Sequence, residues 1–134
     1  NGLAIRQFCE VQRADCATLF SDRPELASRA LLLVWPNIEP DEDVDAWPEP
    51  EPEAWPWEAR CLSSYIAAGG KTVISVGERE ECIEGLVPTA PRDVGQTSSL
   101  RYQTMLRAKF TLDKQVCIPN WLYSVDDLTV WRRK

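Results

Sequence analysis

The chain has 134 residues, of which 44% are hydrophobic, a formal net charge of −6 and no histidine. The length and apolar content predict one domain over residues 1–134, while the acidic balance argues against a nucleic acid ligand, whose binding rests largely on Lys and Arg. The absence of histidine removes Ser-His and Cys-His catalysis and the commonest general base.

The cysteines are odd in number and widely spaced, unlike the disulfide framework of a small secreted protein. They predict buried thiols in a reducing intracellular compartment, and they form no Cys-x-x-Cys pair, so no metal site is predicted. The first residue is Asn1 rather than Met, which leaves open an organelle reached after transit-peptide removal. No apolar run approaches the roughly 20 residues that span a bilayer, so no transmembrane segment is predicted. The five cysteines are Cys9, Cys16, Cys61, Cys82 and Cys117.

The first part of the chain is predicted to contain short elements followed by a buried strand. Apolar residues at helical spacing predict an amphipathic helix over 3–9, and residues 15–20 are predicted to be a brief strand or an extended turn. A helical turn is predicted around 25–28, after a capping residue and a proline. Residues 30–35 are continuously apolar and end at Pro36, which is typical of a strand buried on both faces of a parallel sheet.

An acidic loop rich in Pro and Trp is predicted at 39–56, where every charged residue is negative and five prolines occur. The favoured interpretation is a solvated insertion, because charge runs are usually solvated. The alternative is a binding element, since Trp47, Trp55 and Trp57 lie inside or beside the loop and tryptophan is enriched at interfaces. These rings are expected either to pack on their own domain or to bind a partner.

The next segment predicts a helix over 57–67 that Gly69-Gly70 terminates, followed by a strand over 72–76. A helix between two apolar strands is a βαβ unit, in which the strands run parallel. Residues 80–96 are predicted to be irregular. Thr97 or Ser98 is predicted to cap a helix that includes Phe110, and strands follow at 112–119 and 128–131, with 132–134 in solvent.

Four short motifs follow one another along the chain. They are Leu31-Leu32-Leu33-Val34-Trp35-Pro36, Val76-Gly77-Glu78, Pro119-Asn120-Trp121 and Asp127-Leu128-Thr129-Val130-Trp131-Arg132-Arg133. In this order the motifs resemble the second half of a class I S-adenosylmethionine-dependent methyltransferase, in particular methyltransferase-like hypothetical proteins of eukaryotic microbes. The resemblance covers roughly residues 26 to 134. It implies an α/β fold, half of a Rossmann-like methyltransferase sheet, with about four mostly parallel strands, an antiparallel last strand and flanking helices.

The resemblance implies a ligand crevice at the carboxyl ends of the parallel strands, formed by Trp35, Pro36, Asn37 and Glu78. Related enzymes that methylate amino groups carry an Asn/Asp-Pro-Pro-aromatic turn here, whereas this chain has Trp-Pro-Asn-Ile. The Gly-x-Gly turn that holds the cofactor in this fold belongs to the other half, and no Gly-x-Gly precedes Leu31. The structural alternative is that Pro36 ends the strand and that Glu78 belongs to a turn.

These observations predict a non-catalytic methyltransferase-like module that acts as a protein-binding or structural subunit of a larger assembly, without a cofactor. In that interpretation Trp47, Trp55 and Trp57 bind the partner. The alternative is the C-terminal fragment of an active methyltransferase with S-adenosylmethionine as its cofactor.

Overall fold

The computed structural model describes residues 13–36, 51–79, 97–119 and 125–134, and shows helices packed against a four-stranded mixed sheet. The predicted helix at 3–9, Asn37, Trp47, most of the acidic loop and residues 80–96 lie outside this described part. In chain order the elements are α1 (Cys16–Asp22), a 3-10 helix (Pro24–Ser28), β1 (Leu31–Val34), a second 3-10 helix (Pro52–Ala54), α2 (Trp57–Ala67), β2 (Thr72–Gly77), α3 (Leu100–Lys109), β3 (Phe110–Cys117) and β4 (Asp127–Arg133).

The sheet has the strand order β1-β2-β4-β3. β1 and β2 run parallel, and β4 runs antiparallel to both of its neighbours, β2 and β3. α2 lies between the two parallel strands in sequence, as parallel neighbours need a crossover connection. The prediction of four strands with flanking helices and an antiparallel last strand is therefore confirmed, as is the βαβ unit.

The hydrophobic core lies between one face of the sheet and the helices. Alternate residues of a strand point to opposite faces and paired residues share a face, so Leu33, Val73 and Trp131 point to the same side. These three side chains are buried in one apolar cluster with residues of α2 and α3 such as Leu62 and Leu106. We call this side of the sheet the covered face.

The end of α2 has the glycine geometry that the sequence predicts. Gly69 has φ +86°, a backbone conformation that glycine adopts without strain, and the Gly70 amide donates to the carbonyl of Tyr65 at 2.9 Å. A β-carbon on Gly70 would overlap the Tyr65 ring. Both glycines are therefore required where the chain turns from α2 into β2.

Three predictions about these elements are wrong. Residues 15–20 are predicted to be a strand or an extended turn, but residues 16–20 form the start of α1, because Phe20 is buried there against the ring of Tyr65 at 5.3 Å between centroids. α3 is capped by Ser99 rather than by Thr97 or Ser98. Phe110, expected on the helix, instead begins β3, where its side chain is buried.

The prediction that β1 is buried on both faces is also wrong. Leu33 points into the core, but Leu32 and Val34 are 58% and 51% exposed. β1 lies at the edge of the sheet, and the side chains of Leu32 and Val34 point away from the helices. A continuous apolar sequence therefore does not correspond here to a strand covered on both sides.

The basic residues at the chain end were expected to lie in solvent, and they are exposed. Arg132 and Arg133 nevertheless belong to β4. Arg132 forms an ion pair with Asp113 at 3.2 Å and Lys134 donates to the carbonyl of Arg107 at 2.8 Å. Arg132 and Arg133 are therefore exposed residues of the sheet itself.

Candidate functional site

The carboxyl ends of the parallel strands β1 and β2 lie at one edge of the sheet. Because β4 is antiparallel to β2, it begins at this same edge, where Gly77 pairs with Asp127. The register also brings Cys117, the end of β3, beside Asp127. At this edge, the residues that follow β1 and β2 therefore lie beside the residues that precede β4. Open α/β sheets place their ligands at this position.

Trp35 and Pro36 lie at this edge, as the sequence predicts. The Trp35 amide donates to the carbonyl of Val76 at 2.9 Å, and its side chain is 45% exposed, whereas Pro36 is buried. Trp35 has φ +44°, in the left-handed region that is unfavourable for an aromatic residue. Such strain costs about 1–3 kcal/mol and persists only where the surrounding structure imposes it.

Glu78 lies beside Trp35 but is bonded to the protein. A β-carbon on Gly77 would lie 3.6 Å from the Trp35 ring, which places the two segments in contact. Glu78 is 3% exposed, its Oε1 accepts from the amide of Val125 at 3.1 Å, and its own amide donates to Thr97 Oγ1 at 2.7 Å. The residue therefore ties the end of β2 to the segments that precede α3 and β4.

An ion pair that the sequence analysis did not identify lies next to Glu78. The Arg79 guanidinium donates to Asp127 Oδ2 from Nε at 3.1 Å and from Nη2 at 2.9 Å, and Gln115 Nε2 donates to the same oxygen at 2.7 Å. The side chains are 18% and 6% exposed for Arg79 and Asp127. Charge-assisted bonds of this kind are the strong ones, so the pair holds the start of β4 against the end of β2. No spacing in the sequence indicates a pair 48 residues apart.

A cavity of about 20 Å³ lies between α3 and the covered face, close to this edge. That volume holds about one water molecule. Burial raises the pKa of the Tyr102 hydroxyl at its wall. Polar residues of the wall are Ser75, Glu78, Ser98, Gln103 and Thr129.

The second surface of interest is the face of the sheet opposite the core, which we call the open face. Its residues form two rows across the strands according to the pairing register: Leu32, Ile74, Val130 and Lys114 in one row, and Val34, Val76, Leu128 and Val116 in the other. Leu32, Val34 and Val116 are about half exposed. Seven of the eight side chains are aliphatic, and the described helices pack on the covered side.

The two edges of the sheet differ in how they are protected. β3 carries the charged residues Asp113 and Lys114 and a register irregularity between Leu112 and Lys114. Charges and bulges of this kind discourage the addition of another strand. β1 has the sequence Leu-Leu-Leu-Val, with no charge, no proline and no neighbour on its outer side in the described part of the chain. The outer edge of β1 is therefore the one suited to strand addition.

Two of the three tryptophans predicted to bind a partner, Trp55 and Trp57, lie in or beside the helices that pack on the covered face. Trp55 is half-buried against the core, and the guanidinium of Arg101 in α3 lies 4.8 Å from the centre of its ring. Trp57, the first residue of α2, is 39% exposed. Trp47 lies outside the described residues. The Trp55 ring therefore packs on its own domain, which is one of the two outcomes expected from the sequence.

Among the residues that the structure describes, no group of three Cys, Asp or Glu side chains is placed to hold a metal ion. No described helix has the length and apolar character needed to cross a membrane. Comparisons with protein-family models, curated proteins and solved structures gave no significant match.

Proposed function

We propose that this chain is a non-catalytic, methyltransferase-like module that binds a partner protein as a structural or accessory subunit. The partner contacts the open face and adds a β-strand to the outer edge of β1. The observation that supports this proposal is the contiguous aliphatic surface of the open face next to an edge strand without charge or proline. Exposed apolar patches and unpaired strand edges are typical of interaction sites.

The exposed side chains of β1 offer a favourable free energy of association. Burying a Leu or Val side chain completely is worth about 1.5–3 kcal/mol, so covering the exposed half of Leu32 and Val34 is worth roughly 1 kcal/mol each. The remaining open-face residues and the main-chain hydrogen bonds of an added strand contribute as well. The favourable free energy of these contacts must exceed the cost of the lost rotational and translational freedom. A partner is therefore expected to contact both the open face and the outer edge of β1.

The surface also indicates what the partner presents. Its contact residues are expected to be apolar along the two rows of the open face. Lys114 is exposed at the β3 end of the row that begins with Leu32, and Arg132 lies nearby on the same face by its pairing with Thr72 and Thr111. An acidic group of the partner at that end would complement the charge of Lys114, since Arg132 is already paired with Asp113, and would fix the orientation of the complex. The proposed occupant is therefore an apolar strand-forming segment with an acidic flank.

The resemblance supports the same proposal. It implies that β1 is an inner strand of a larger sheet, whereas β1 is here an edge strand among the described residues. It also implies an antiparallel last strand, and β4 has that direction. The outer edge of β1 has no neighbour among the described residues, and a partner chain that adds a strand there would cover it.

A photoreactive amino acid at position 32 tests this proposal. We expect this amino acid to crosslink to one partner protein. The purified partner is then expected to bind the chain again and to protect the amides of β1 from hydrogen exchange. Val34→Asp is expected to abolish rebinding, since it places a charge on the open face. The matched control, Ala108→Asp, adds the same charge at an exposed position of α3 and leaves binding unchanged.

Two outcomes would overturn the proposal. A crosslink to a second copy of this chain, with a dimer in light scattering, would replace the partner protein by self-association. Binding of S-adenosylmethionine to the isolated chain with a Kd below about 100 μM, near −5.5 kcal/mol, would show a cofactor site and contradict the non-catalytic proposal.

The second candidate function is that of a fragment of an active S-adenosylmethionine-dependent methyltransferase. The strained backbone of Trp35 favours it, because strain at the carboxyl end of a strand is frequent in binding sites. The crevice would then involve Trp35, Pro36, Asn37 and Glu78. The observed Glu78 does not fit a cofactor-binding carboxylate, since it is buried and accepts a hydrogen bond from Val125. No methyl-transfer step is therefore assigned to these residues. Isothermal titration of the chain with S-adenosylmethionine distinguishes the two proposals.

A further inference from the structure

Two cysteines that are 45 residues apart in sequence meet where α1 packs on α2. Cys16 is the first residue of α1 and is half-buried, whereas Cys61 lies in the middle of α2 and is 1% exposed. The Cys16 thiol lies 3.8 Å from the carbonyl oxygen of Trp57, one helical turn before Cys61. Because Trp57 and Cys61 are one turn apart in α2, this contact places the Cys16 thiol against the turn of α2 that carries the Cys61 side chain.

The two sulfur atoms have different environments. The hydrogen bond from Cys61 lowers the pKa of the Cys16 thiol, and Arg60 acts in the same direction, while partial burial and the Asp15 carboxylate oppose it. The same hydrogen bond raises the pKa of Cys61, and burial, Cys16, Asp15 and Glu58 add to that effect. Cys16 is thus the accessible sulfur that becomes a thiolate first, and Cys61 is the protected one.

We propose that Cys16 and Cys61 form a redox-active dithiol that a low-molecular-weight disulfide oxidises to an intramolecular disulfide. This is a site of covalent modification separate from the partner-binding surface of the open face. Two cysteine side chains on facing positions of α1 and one turn of α2 can reach the S–S bond length of about 2.05 Å by side-chain rotation. The link would join α1 covalently to α2 across the segment that contains β1.

The chemistry balances in two exchange steps. The Cys16 thiolate attacks one sulfur of the small disulfide, which forms a mixed disulfide at Cys16 and releases one thiolate. Cys61 then loses its proton and its sulfur attacks the Cys16 sulfur, which expels the second thiolate. Two cysteine thiols are oxidised to one disulfide, the small disulfide is reduced to two thiols, and the two leaving thiolates take up the two protons.

A variant that retains only this pair, Cys9→Ser, Cys82→Ser and Cys117→Ser, is the sharpest test. After incubation of the folded protein with oxidised glutathione, intact mass spectrometry is expected to show the loss of two hydrogen atoms, no bound glutathione and no free thiol. Adding Cys61→Ala to this variant should stop the reaction at one glutathione on Cys16. Adding Cys16→Ala instead should leave the buried Cys61 thiol unreacted.

A matched control keeps the attacking thiol and moves its partner. In a variant that retains Cys16 and Cys117 only, the second thiol is exposed on β3, and glutathione adducts are expected in place of an intramolecular disulfide. If a serine variant does not fold, peptide mapping of the oxidised natural chain replaces it. The expected result is a linked pair of peptides that contain Cys16 and Cys61. A stable glutathione adduct on Cys16 with Cys61 still reduced, or two thiols that remain free, would overturn the proposal.

Discussion

The Tyr65 hydroxyl gives the most informative test of how the fold is held together. It donates to the carbonyl oxygens of Arg29 at 2.7 Å and of Thr72 at 2.8 Å, which share its one proton, and it accepts from the Thr72 amide at 3.1 Å. One buried side chain of α2 thus satisfies backbone groups just before β1 and at the start of β2. Tyr65→Phe removes these bonds without changing the apolar ring that packs on Phe20.

The expected loss of stability follows from the bonds that disappear. Each hydrogen bond is worth about 1 kcal/mol net, and a buried polar group left without a partner costs about 1–3 kcal/mol. One donated and one accepted bond are lost, and water reaches part of the site because Thr72 is only half-buried. We therefore expect Tyr65→Phe to lower the free energy of unfolding by about 2–3 kcal/mol.

Tyr102→Phe is the matched control, because Tyr102 is as buried as Tyr65. Its hydroxyl bonds none of the described backbone groups, so we expect a change below about 1 kcal/mol. Urea unfolding followed by far-UV circular dichroism measures both variants under the same conditions. Equal losses for the two variants would refute the assignment of this stability to the backbone groups that Tyr65 bonds.

Three further changes test the crevice edge and one surface charge. Asp127→Asn is expected to lower the free energy of unfolding by about 2–3 kcal/mol, because it leaves the Arg79 charge partly buried without its partner. Adding Arg79→Met to this variant should recover part of the loss, and urea unfolding measures both changes. Thr97→Val removes the acceptor of the Glu78 amide and is expected to cost about 1 kcal/mol, with faster hydrogen exchange of that amide, whereas Thr97→Ser keeps the bond and should have little effect. The Glu25 pKa is lowered by its own backbone N–H and by the neighbouring arginine, so the carboxylate adds stability above its unfolded pKa that is lost as the pH falls through its folded pKa. Unfolding at several pH values should therefore show a small destabilisation by Glu25→Gln at neutral pH that vanishes in acid, and a difference that persists in acid would contradict this origin.

Local patterns in the sequence determined most elements of the central βαβ unit. The helix predicted at 57–67 coincides with α2, and the strand predicted at 72–76 lies within β2, because an amphipathic spacing, a terminating Gly-Gly and a β-branched run agree there. The direction of β2 relative to β1 followed from the length of the connection. These features depend on residues close in sequence, so they are visible without the fold.

The tertiary structure decided where boundaries fall and which faces are covered. Residues 15–20 became helical because Phe20 finds Tyr65 of α2, and the strand at 110 begins where Phe110 enters the core. Leu32 and Leu33 have the same residue type, yet only Leu33 is covered, because neighbouring elements pack on one side of the sheet alone. A strand sequence records its hydrophobicity but not its position in the sheet.

The candidate sites show the same division. The sequence placed Trp35, Pro36 and Glu78 at the carboxyl ends of adjacent strands, since strand ends can be read from the sequence. It gave no indication of the pairing of Arg79 with Asp127 or of Cys16 with Cys61, because each pair is separated by more than 40 residues and is brought together only by the packing of elements. The sequence by itself thus determined most of the described elements and their order, whereas long-range contacts, exposed faces and paired charges depended on how those elements pack in three dimensions.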